Sequence, residues 1–470
     1  MVKPIKLEMD NFIHKLYHKS PIFIQNILIS IYGYGLKNDK YGSVYKEQLK
    51  LFKKREHYTH QQWRDHQTIE LRKLLIHAYS TVPYYNELYS KHGFNASSFN
   101  NFELQDLSKL PYLEKEDLRK YGKTSLLSTK KKKGKFIATS GSTGTPTSIY
   151  FSKEFEQVWA AVYESRVRNW AGVNKEMRRG MIGGKMIIKD PNAAPPYYRY
   201  NAAEKQTYFS AYHISKDNLD NYVKGLFENN IEYMVGYALS NYFLADLIVK
   251  NNIKAPKMKS VLTSSEKLTK EMRETFFKAY GCNTYDAYSG VEVCGLISEN
   301  LEGDLLWSPD VGIAEVIDNN DNPALEGELI STGLLNFDQP LIRFRIGDSI
   351  KISKDQKTKS GLNMLKIDEI FGRIEDVIVT KDGRKIISLY RLFLDIPYLK
   401  LSQVIQHSYI DFEIKIVVEK EFSEKEELQI RERFHNKIGK DVNLKISFVK
   451  EIPNSSNGKY RLTISKIKNV

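Results

Sequence analysis

Cysteine is nearly absent: Cys282 and Cys294 are the only two in 470 residues. Two thiols cannot build a disulfide framework, nor a zinc site from cysteine alone. Such usage suits a reducing compartment and predicts a cytoplasmic protein. A compact apolar leader segment is lacking too, because Met1–Asp10 alternates charged and apolar residues, so no secretory signal is expected. The longest uncharged stretch, Ser20 to Leu36, is too short and too polar to favour a membrane span. Gln25, Asn26 and two glycines interrupt it, while Lys15, Lys19 and Lys37 flank it. That pattern reads as a buried or interfacial helix, with peripheral contact at the inner membrane face as one consequence.

Acidic side chains are in deficit, 57 against 71 lysines and arginines, which leaves a formal net charge of +14. Nucleic acid, an anionic membrane surface and anionic small substrates all suit a basic chain. No helix-turn-helix, zinc-finger or RNP pattern accompanies the charge, so nucleic acid is not expected as a partner. The densest cluster, Lys130 to Lys133 plus Lys135, would ordinarily be a solvated loop. It directly precedes the chain's most informative loop, where it could steer anions. With 41% hydrophobic and 27% charged residues, the chain is globular and long enough for two or three domains.

Residues 1 to about 120 read as mostly helical. Asp65 to Tyr79 carries Ile69, Leu71, Leu74, Leu75 and Ala78 at helical spacing, and Val82-Pro83-Tyr84-Tyr85 breaks it, since the residue before proline avoids helical backbone. From Lys135 to Phe371 short β-rich runs alternate with amphipathic helices. Leu219, Tyr222, Val223, Leu226 and Phe227 form one stripe, with Ser215 as the expected N-cap. Thr269 to Tyr280 forms another, with Met272, Phe276 and Tyr280 on one face and Gly281 at the C′ position. Ser260 to Thr263 before it reads as a buried strand, and this order predicts a layered α/β core.

Beyond Phe371 the character changes. Asp376 to Thr380 and Arg384 to Ser388 are short β runs around an Asp382-Gly383 turn. Phe412, Ile414, Ile416 and Val418 alternate, Ser423 and Glu426 make a capping box for a helix ending near Gly439, and Val442, Leu444, Ile446 and Phe448 alternate again. The boundary is expected at Phe371 to Arg373, separating a large domain, 1–371, from a small one, 372–470.

Five motifs carry chemistry. The first is Thr139-Ser140-Gly141-Ser142-Thr143-Gly144-Thr145-Pro146, after the short apolar strand Phe136 to Ala138. Its backbone N–H groups are unhindered by large side chains, which is what polyphosphate oxygens need. No Gly-Lys-Ser/Thr closes it, so it is not a Walker A loop, and Thr139 rules out a Gly-x-Ser-x-Gly elbow. Standing alone, such a run is more often a surface loop.

The second motif is Tyr285-Asp286-Ala287-Tyr288-Ser289-Gly290-Val291-Glu292. An exposed aromatic can stack on adenine and a nearby carboxylate can hold Mg²⁺ against phosphates. A strand end with a core tyrosine and a solvated glutamate is the plainer alternative. The third is Pro340-Leu341-Ile342-Arg343-Phe344-Arg345-Ile346-Gly347-Asp348, read as two arginines alternating on one face of a strand with an acid just past its end. One carboxylate matches the adjacent hydroxyls of a ribose, whereas an edge strand with a surface ion pair is the alternative. Gly372-Arg373-Ile374-Glu375-Asp376-Val377-Ile378 and Asn457-Gly458-Lys459-Tyr460-Arg461 complete the set.

In this order the five motifs resemble those of the adenylate-forming superfamily of acyl-CoA synthetases, adenylation domains and luciferases. The subgroup they resemble is that of phenylacetate–CoA ligases and CapK-like proteins of capsular polysaccharide clusters. Leu74-Leu75-Ile76-His77-Ala78 with Val82-Pro83-Tyr84-Tyr85 is similar to the N-terminal region of that subgroup, and the likeness runs from about residue 60 to 465. The resemblance implies a large layered α/β adenylate-forming N-terminal domain with a small, mobile α+β C-terminal lid domain.

It also implies roles. Thr139, Ser140, Gly141, Ser142 and Gly144 would hold the β- and γ-phosphates of ATP. Tyr288 would lie against adenine, with Ser265 and Glu266 lining the adenine pocket and Asp348 and Arg373 serving the ribose. Glu292 would bind Mg²⁺, and Lys459, Glu292 and Thr143 would form the catalytic set. Glu375 would lie at the hinge. Gly236, Tyr237 and Ala238 would border the acyl pocket. Three departures from the subgroup's pattern stand out. Ser289 replaces a glycine, Glu375 replaces the commoner aspartate, and Ser298-Glu299-Asn300 occupies the region where some relatives carry zinc-binding cysteines, so no zinc is expected.

The implied reaction activates a small carboxylic acid as an acyl-adenylate, with coenzyme A as the expected acceptor and a role in surface polysaccharide biosynthesis. An amide synthase or acyltransferase that never uses coenzyme A is the enzymatic alternative. A basic membrane-associated scaffold of a capsule-synthesis complex is the non-enzymatic one.

Overall fold

The computed structural model describes residues 17–18, 20–138, 147–183, 187–188, 190, 192–266, 268–318, 320–371, 378–386, 389–393, 396–452 and 462–467. Helices Ile22–Lys40, Ser43–Arg55, His60–Thr81, Pro83–Lys91 and Lys115–Tyr121 make up the first part, as the periodicity predicts. In His60–Thr81 the capping box of Thr59 and Gln62 opens the helix, and Leu71, Leu74, Leu75 and Ala78 are fully buried. Ile69, expected on the same stripe, is exposed. Helical residues two apart do not share a face, so Leu71 and Ile69 cannot both turn inward. Val82 ends this helix in extended backbone, and Pro83 opens the next at a position where its missing N–H costs nothing.

Strands β1 (Gly134–Ala138) and β2 (Ser148–Ser152) form an antiparallel hairpin. Then follow β3 (Arg179–Ile182), β4 (Tyr198–Asn201), β5 (Gln206–Phe209), β6 (Tyr233–Tyr237), β7 (Ser260–Ser264), β8 (Asn283–Tyr288), β9 (Ile297–Glu299) and β10 (Leu305–Trp307). These eight make one sheet in the order β10-β9-β8-β7-β6-β3-β5-β4. Its middle, from β8 to β5, is parallel, and its outer strands are antiparallel. Buried runs such as Val261-Leu262 suit strands covered on both faces. The connections include helices Leu219–Glu228, Ala238–Lys250 and Lys270–Tyr280, so the layered α/β core stands.

Local details differ in places. Asn218, not Ser215, is the N-cap of Leu219–Glu228, and Phe227 is exposed at its far end. Gly281 takes left-handed backbone at φ 65°, as predicted, and Thr269 caps the helix start by accepting from the Met272 N–H at 3.2 Å.

Between Tyr288 and Phe371 the expected alternation of strands and helices does not hold. Among the described residues this stretch has no helix; β11 (Gly312–Ile317), β12 (Glu326–Gly333), β13 (Phe344–Ile352) and β14 (Ile367–Phe371) form an antiparallel sheet. Neighbours in chain order pair antiparallel throughout, so no crossover helix is needed to join them.

The remainder contains β15 (Ile378–Val379), β16 (Lys385–Ile386), β17 (Leu399–Gln406), β18 (Asp411–Val418), β19 (Asn443–Phe448) and β20 (Thr463–Ser465), with helix Glu424–Ile438. Four of these strands pair as β19-β18-β17-β20. The Ser423/Glu426 capping box and Gly439 bound the helix, as predicted. Ile414, Ile416, Ile430 and Phe434 are fully buried in a cluster built almost wholly from this segment. Strand β17 was not foreseen, because a bulge between Leu399 and Leu401 breaks its alternation.

Candidate active site

Parallel pairing fixes where the expected ligand-binding segments go. Tyr237 pairs with Ser264, and Ser264 with Ala287, so Gly236-Tyr237-Ala238, Ser264-Ser265-Glu266 and Tyr288 meet at the carboxyl ends of β6, β7 and β8. Open α/β sheets bind ligands along this edge. Gly236 is required there: its φ is 129°, and a Cβ would lie 2.0 Å from the Ile182 carbonyl oxygen. Ser265 turns the chain away with left-handed backbone at φ 71°.

Glu266, expected beside adenine, has a structural task. Its Oε2 accepts from the Leu239 N–H at 2.8 Å, in the first turn of helix Ala238–Lys250. A carboxylate satisfies an otherwise orphaned donor there and complements the helix dipole. Glu266 therefore locks the two segments at the strand ends together.

Tyr288 and Asp348, sixty residues apart, are joined directly: Tyr288 Oη donates to Asp348 Oδ2 at 2.9 Å. Burial first, and the adjacent carboxylate second, push the Tyr288 phenol well above its ordinary pKa, so it remains a donor. A hydrogen bond to a charged group contributes about 1.5–3 kcal/mol. Asp348 is not past a strand end, as the sequence suggested, but inside β13. Between Arg345, opposite Ile330, and Ser349, opposite Glu328, the register shifts, and Gly347 at φ 79° makes the irregularity that carries the acid.

The paired arginines of that motif also differ from expectation. Strand β13 begins only at Phe344, and Arg343 sits before it in left-handed backbone at φ 49°. Arg343 grips Glu315 through Nε at 3.1 Å and Nη2 at 2.9 Å, and Arg345 Nη2 holds Glu328 at 2.6 Å. Both guanidinium groups cover the Tyr112 ring, at 4.2 and 4.9 Å from its centroid. They fasten the N-terminal region to this sheet rather than facing ligand.

Glu292 lies on the loop after β8 and is only 8% exposed. Among the described residues no hydrogen bond or ion pair reaches its carboxylate. Mg²⁺ is typically held by one or two carboxylates together with phosphate oxygens. The side chain fits that use. Ser289, the departure from the subgroup's glycine, is employed locally: its Oγ donates to the Gly295 carbonyl at 2.8 Å and braces the loop. Burial, with Glu292 next to it, pushes the Cys294 thiol up to about 12. Glu299, in the region where some relatives have zinc ligands, instead takes both guanidinium ends of Arg273, at 3.1 and 2.8 Å.

The Thr139 to Pro146 loop, with Thr139, Ser140, Gly141, Ser142, Thr143 and Gly144, lies outside the described residues, but it connects β1 to β2, and those strands are described. Ile137 and Ile149, on the paired strands that flank the loop, belong to the same large apolar core as Tyr288 and Val291. A residue the sequence did not single out holds the hairpin there. Gln339 is fully buried; its Oε1 accepts from the Tyr150 N–H at 2.7 Å and its Nε2 donates to the Gly122 carbonyl at 2.7 Å. Its neighbours Asn336, Asp338 and Pro340 read as an ordinary polar turn, so no signal in the sequence marked it. Of the basic cluster, Lys132 pairs with Glu154, and Lys135 with Glu156 at 2.7 Å.

Arg373, Glu375 and Lys459 also lie outside the described residues. What is described brackets them: β14 ends at Phe371 and β15 begins at Ile378, while β20 starts at Thr463 and lies parallel to β17. The small segment touches the large one at Tyr212, whose ring packs on the C-terminal cluster with the Lys437 ammonium 5.1 Å from its centroid.

Known proteins resemble this chain in sequence and in fold. Residues 378–466 match the family model of the CapK C-terminal domain. Protein CapK of Staphylococcus aureus is 26% identical over 459 residues, which is 96% of this chain and 99% of CapK. A phenylacetate-coenzyme A ligase of Pseudomonas putida is 24% identical over 73% of this chain and 76% of its own. Among solved structures, 2-hydroxyisobutyryl-CoA ligase in the postadenylation state, with an acyl-AMP bound, superposes with a TM-score of 0.56. That match covers 88% of this chain and 91% of the ligase at 17% identity. An open conformation of the same ligase, with acyl-AMP and CoA, gives a TM-score of 0.53 at 16% identity, over 87% of this chain and 93% of the ligase. The fold is that of adenylate-forming CoA ligases.

Proposed function

Because the chain stands with the AMP-forming, acid–CoA ligase-like enzymes of the CapK and phenylacetate-coenzyme A ligase type, we propose that it condenses a carboxylic acid with ATP to an acyl-adenylate and passes the acyl group to coenzyme A. The observation that carries this reading is the Tyr288–Asp348 bond beside the buried Glu292, at the carboxyl ends of the parallel strands.

The chemistry assigns work to each group. A carboxylate oxygen attacks the α-phosphorus, the α–β phosphoanhydride bond breaks, and pyrophosphate leaves with the electron pair. Like charges converge in that step, so cationic groups must wait where charge builds up. Mg²⁺, held by Glu292, would supply positive charge on the phosphate side. Lys459, carried on the small domain of residues 372–470, would supply an ammonium between the carboxylate and the α-phosphate. The 139–146 loop would cradle the outer phosphates with backbone N–H groups, and Tyr288 and Asp348 would fix the nucleoside. A carboxylate, which only accepts when ionised, suits two adjacent ribose hydroxyls. A lysine on a separate domain can be withdrawn after adenylation, clearing the acyl-phosphate for a thiol. The likeness to CapK over nearly the whole chain supports a role in surface polysaccharide synthesis.

ATP–pyrophosphate exchange across a panel of carboxylates tests the first half-reaction. At least one acid should support exchange, and Lys459→Ala and Glu292→Gln should each slow it about a hundredfold or more. Exchange at the parental rate in both variants would refute the assignment. Adding coenzyme A and looking for a thioester by mass spectrometry then tests the acceptor; an acyl-AMP that persists in its presence would favour an amine or hydroxyl acceptor.

A further inference from the structure

The helix Ile22–Lys40 turns large apolar side chains into water. Phe23 is 64% exposed, Ile27 52%, Ile31 66% and Tyr34 63%. Their spacing puts all four on one face, about 17 Å long at roughly 1.5 Å per residue. The flank and back of the helix are already in use. Asn26 Oδ1 accepts from the Tyr200 N–H at 3.0 Å, Ser30 Oγ from the Ala202 N–H at 3.0 Å, and Gln25 Oε1 from Arg199 Nε. Gly33 lies against Asn201, and Ile29 packs on the core below. The helix is thus anchored to the edge strand β4 largely through polar and small residues and shows an apolar stripe outward, contrary to the habit of a surface helix.

Charge marks one end of the stripe. Lys37 and Lys40 close the helix, and its one acid, Asp39, is engaged by Lys153 at 2.9 Å. Lys37 also lines a small cavity with Lys175, Arg179 and Lys205, where Glu176 pairs with Lys175 and, at 3.6 Å, with Lys205, and Glu204 with Arg179 at 3.7 Å. This cavity adjoins Arg179, which begins β3, whereas the candidate active site lies beyond the other end of the parallel strands. The two are separate places on the molecule.

We propose that this face docks the protein on an anionic lipid surface, the stripe entering the boundary between headgroups and acyl chains while Lys37 and Lys40 at its end meet lipid phosphate. Apolar area and positive charge together are what interfacial helices use, and neither alone gives firm attachment. The net charge of +14 has the required sign. No helix among the described residues is long and apolar enough to cross a membrane, so the contact is peripheral.

Flotation of the full chain with phosphatidylcholine vesicles, with and without phosphatidylglycerol, tests this. The protein should float only with the anionic vesicles. F23S/I27S/I31S/Y34S should lower the bound fraction at least tenfold, and K37E/K40E by about fivefold per charge at low salt. ATP–pyrophosphate exchange in solution serves as the folding control, because none of these residues belongs to the candidate active site. Where the quadruple variant does not fold, Tyr34→Trp in the otherwise native chain should be quenched by brominated acyl chains. Failure of the parent to float with anionic vesicles, or a Tyr34→Trp probe that brominated lipid does not quench, overturns the proposal. So does a stable dimer of the parent that the quadruple variant dissociates, since a second copy would then cover the stripe.

Discussion

Asp286 sits on β8 two residues before Tyr288, so its ionisation loads the strand that presents the candidate nucleotide site. Its Oδ1 accepts from the Ala287 N–H at 2.9 Å and lies 3.4 Å from Thr263 Oγ1. Burial raises its carboxyl to about 6, against a smaller opposing pull from Arg273. A carboxyl that ionises near 3.8 unfolded and about 6 folded makes the folded state bind more protons between those values. Stability from this group is therefore complete below pH ~4, falls as pH rises toward 6, and stays low above. Two units correspond to about 3 kcal/mol. The residue is only half-buried, and solvent screening reduces the expected loss to about 1–2 kcal/mol. Asp286→Asn keeps the accepting oxygen and removes the titration. Urea denaturation followed by tryptophan fluorescence should show the variant gaining stability over the parent, with that gain about 1 kcal/mol larger at pH 7.5 than at pH 4.5. A gain equal at both pH values, or larger at pH 4.5, would refute the reasoning.

Tyr288→Phe keeps a ring for adenine but releases Asp348; the KM for ATP should rise about tenfold with kcat within about threefold, as befits one charge-assisted hydrogen bond. Asp348→Asn should have a similar effect, and the double variant should be less than additive, which steady-state exchange kinetics will read directly. Burial pushes both thiols, Cys282 and Cys294, up to about 12; neither should react with Ellman's reagent in the native protein, and both should titrate after unfolding in guanidinium. Gly236→Ala must strain a φ of 129° and collide with the Ile182 carbonyl; a loss of roughly 3 kcal/mol in the denaturation midpoint analysis is expected.

Much of this architecture could be read from the residues because local signals and global fold agree. The helix Lys270–Tyr280 announced its stripe and terminal glycine, and the Ser423/Glu426 box announced another. Strands with clean alternation, such as β18, were equally plain. What sequence could not give was set by tertiary contacts. The irregularity that puts Asp348 inside β13 depends on its pairing with β12, and Arg343 takes left-handed backbone because Glu315 and the carbonyls of Ser108 and Leu110 hold it there. The Tyr288–Asp348 bond follows from how two sheets meet, which no periodicity encodes. Glu266 illustrates the reverse case: its motif position suggested ligand, and the fold gives its carboxylate to a helix terminus.

The central claim is that a carboxylate oxygen attacks the α-phosphorus of ATP at the edge formed by Tyr237, Ser264 and Tyr288. An acid that supports pyrophosphate exchange, supplied with ¹⁸O in both carboxyl oxygens, tests it most directly when acyl transfer is allowed to finish and the released AMP is weighed by mass spectrometry. One ¹⁸O atom should appear in AMP, because the new O–P bond persists while the acyl C–O bond breaks. AMP without the label, or ADP as the product, would contradict the account.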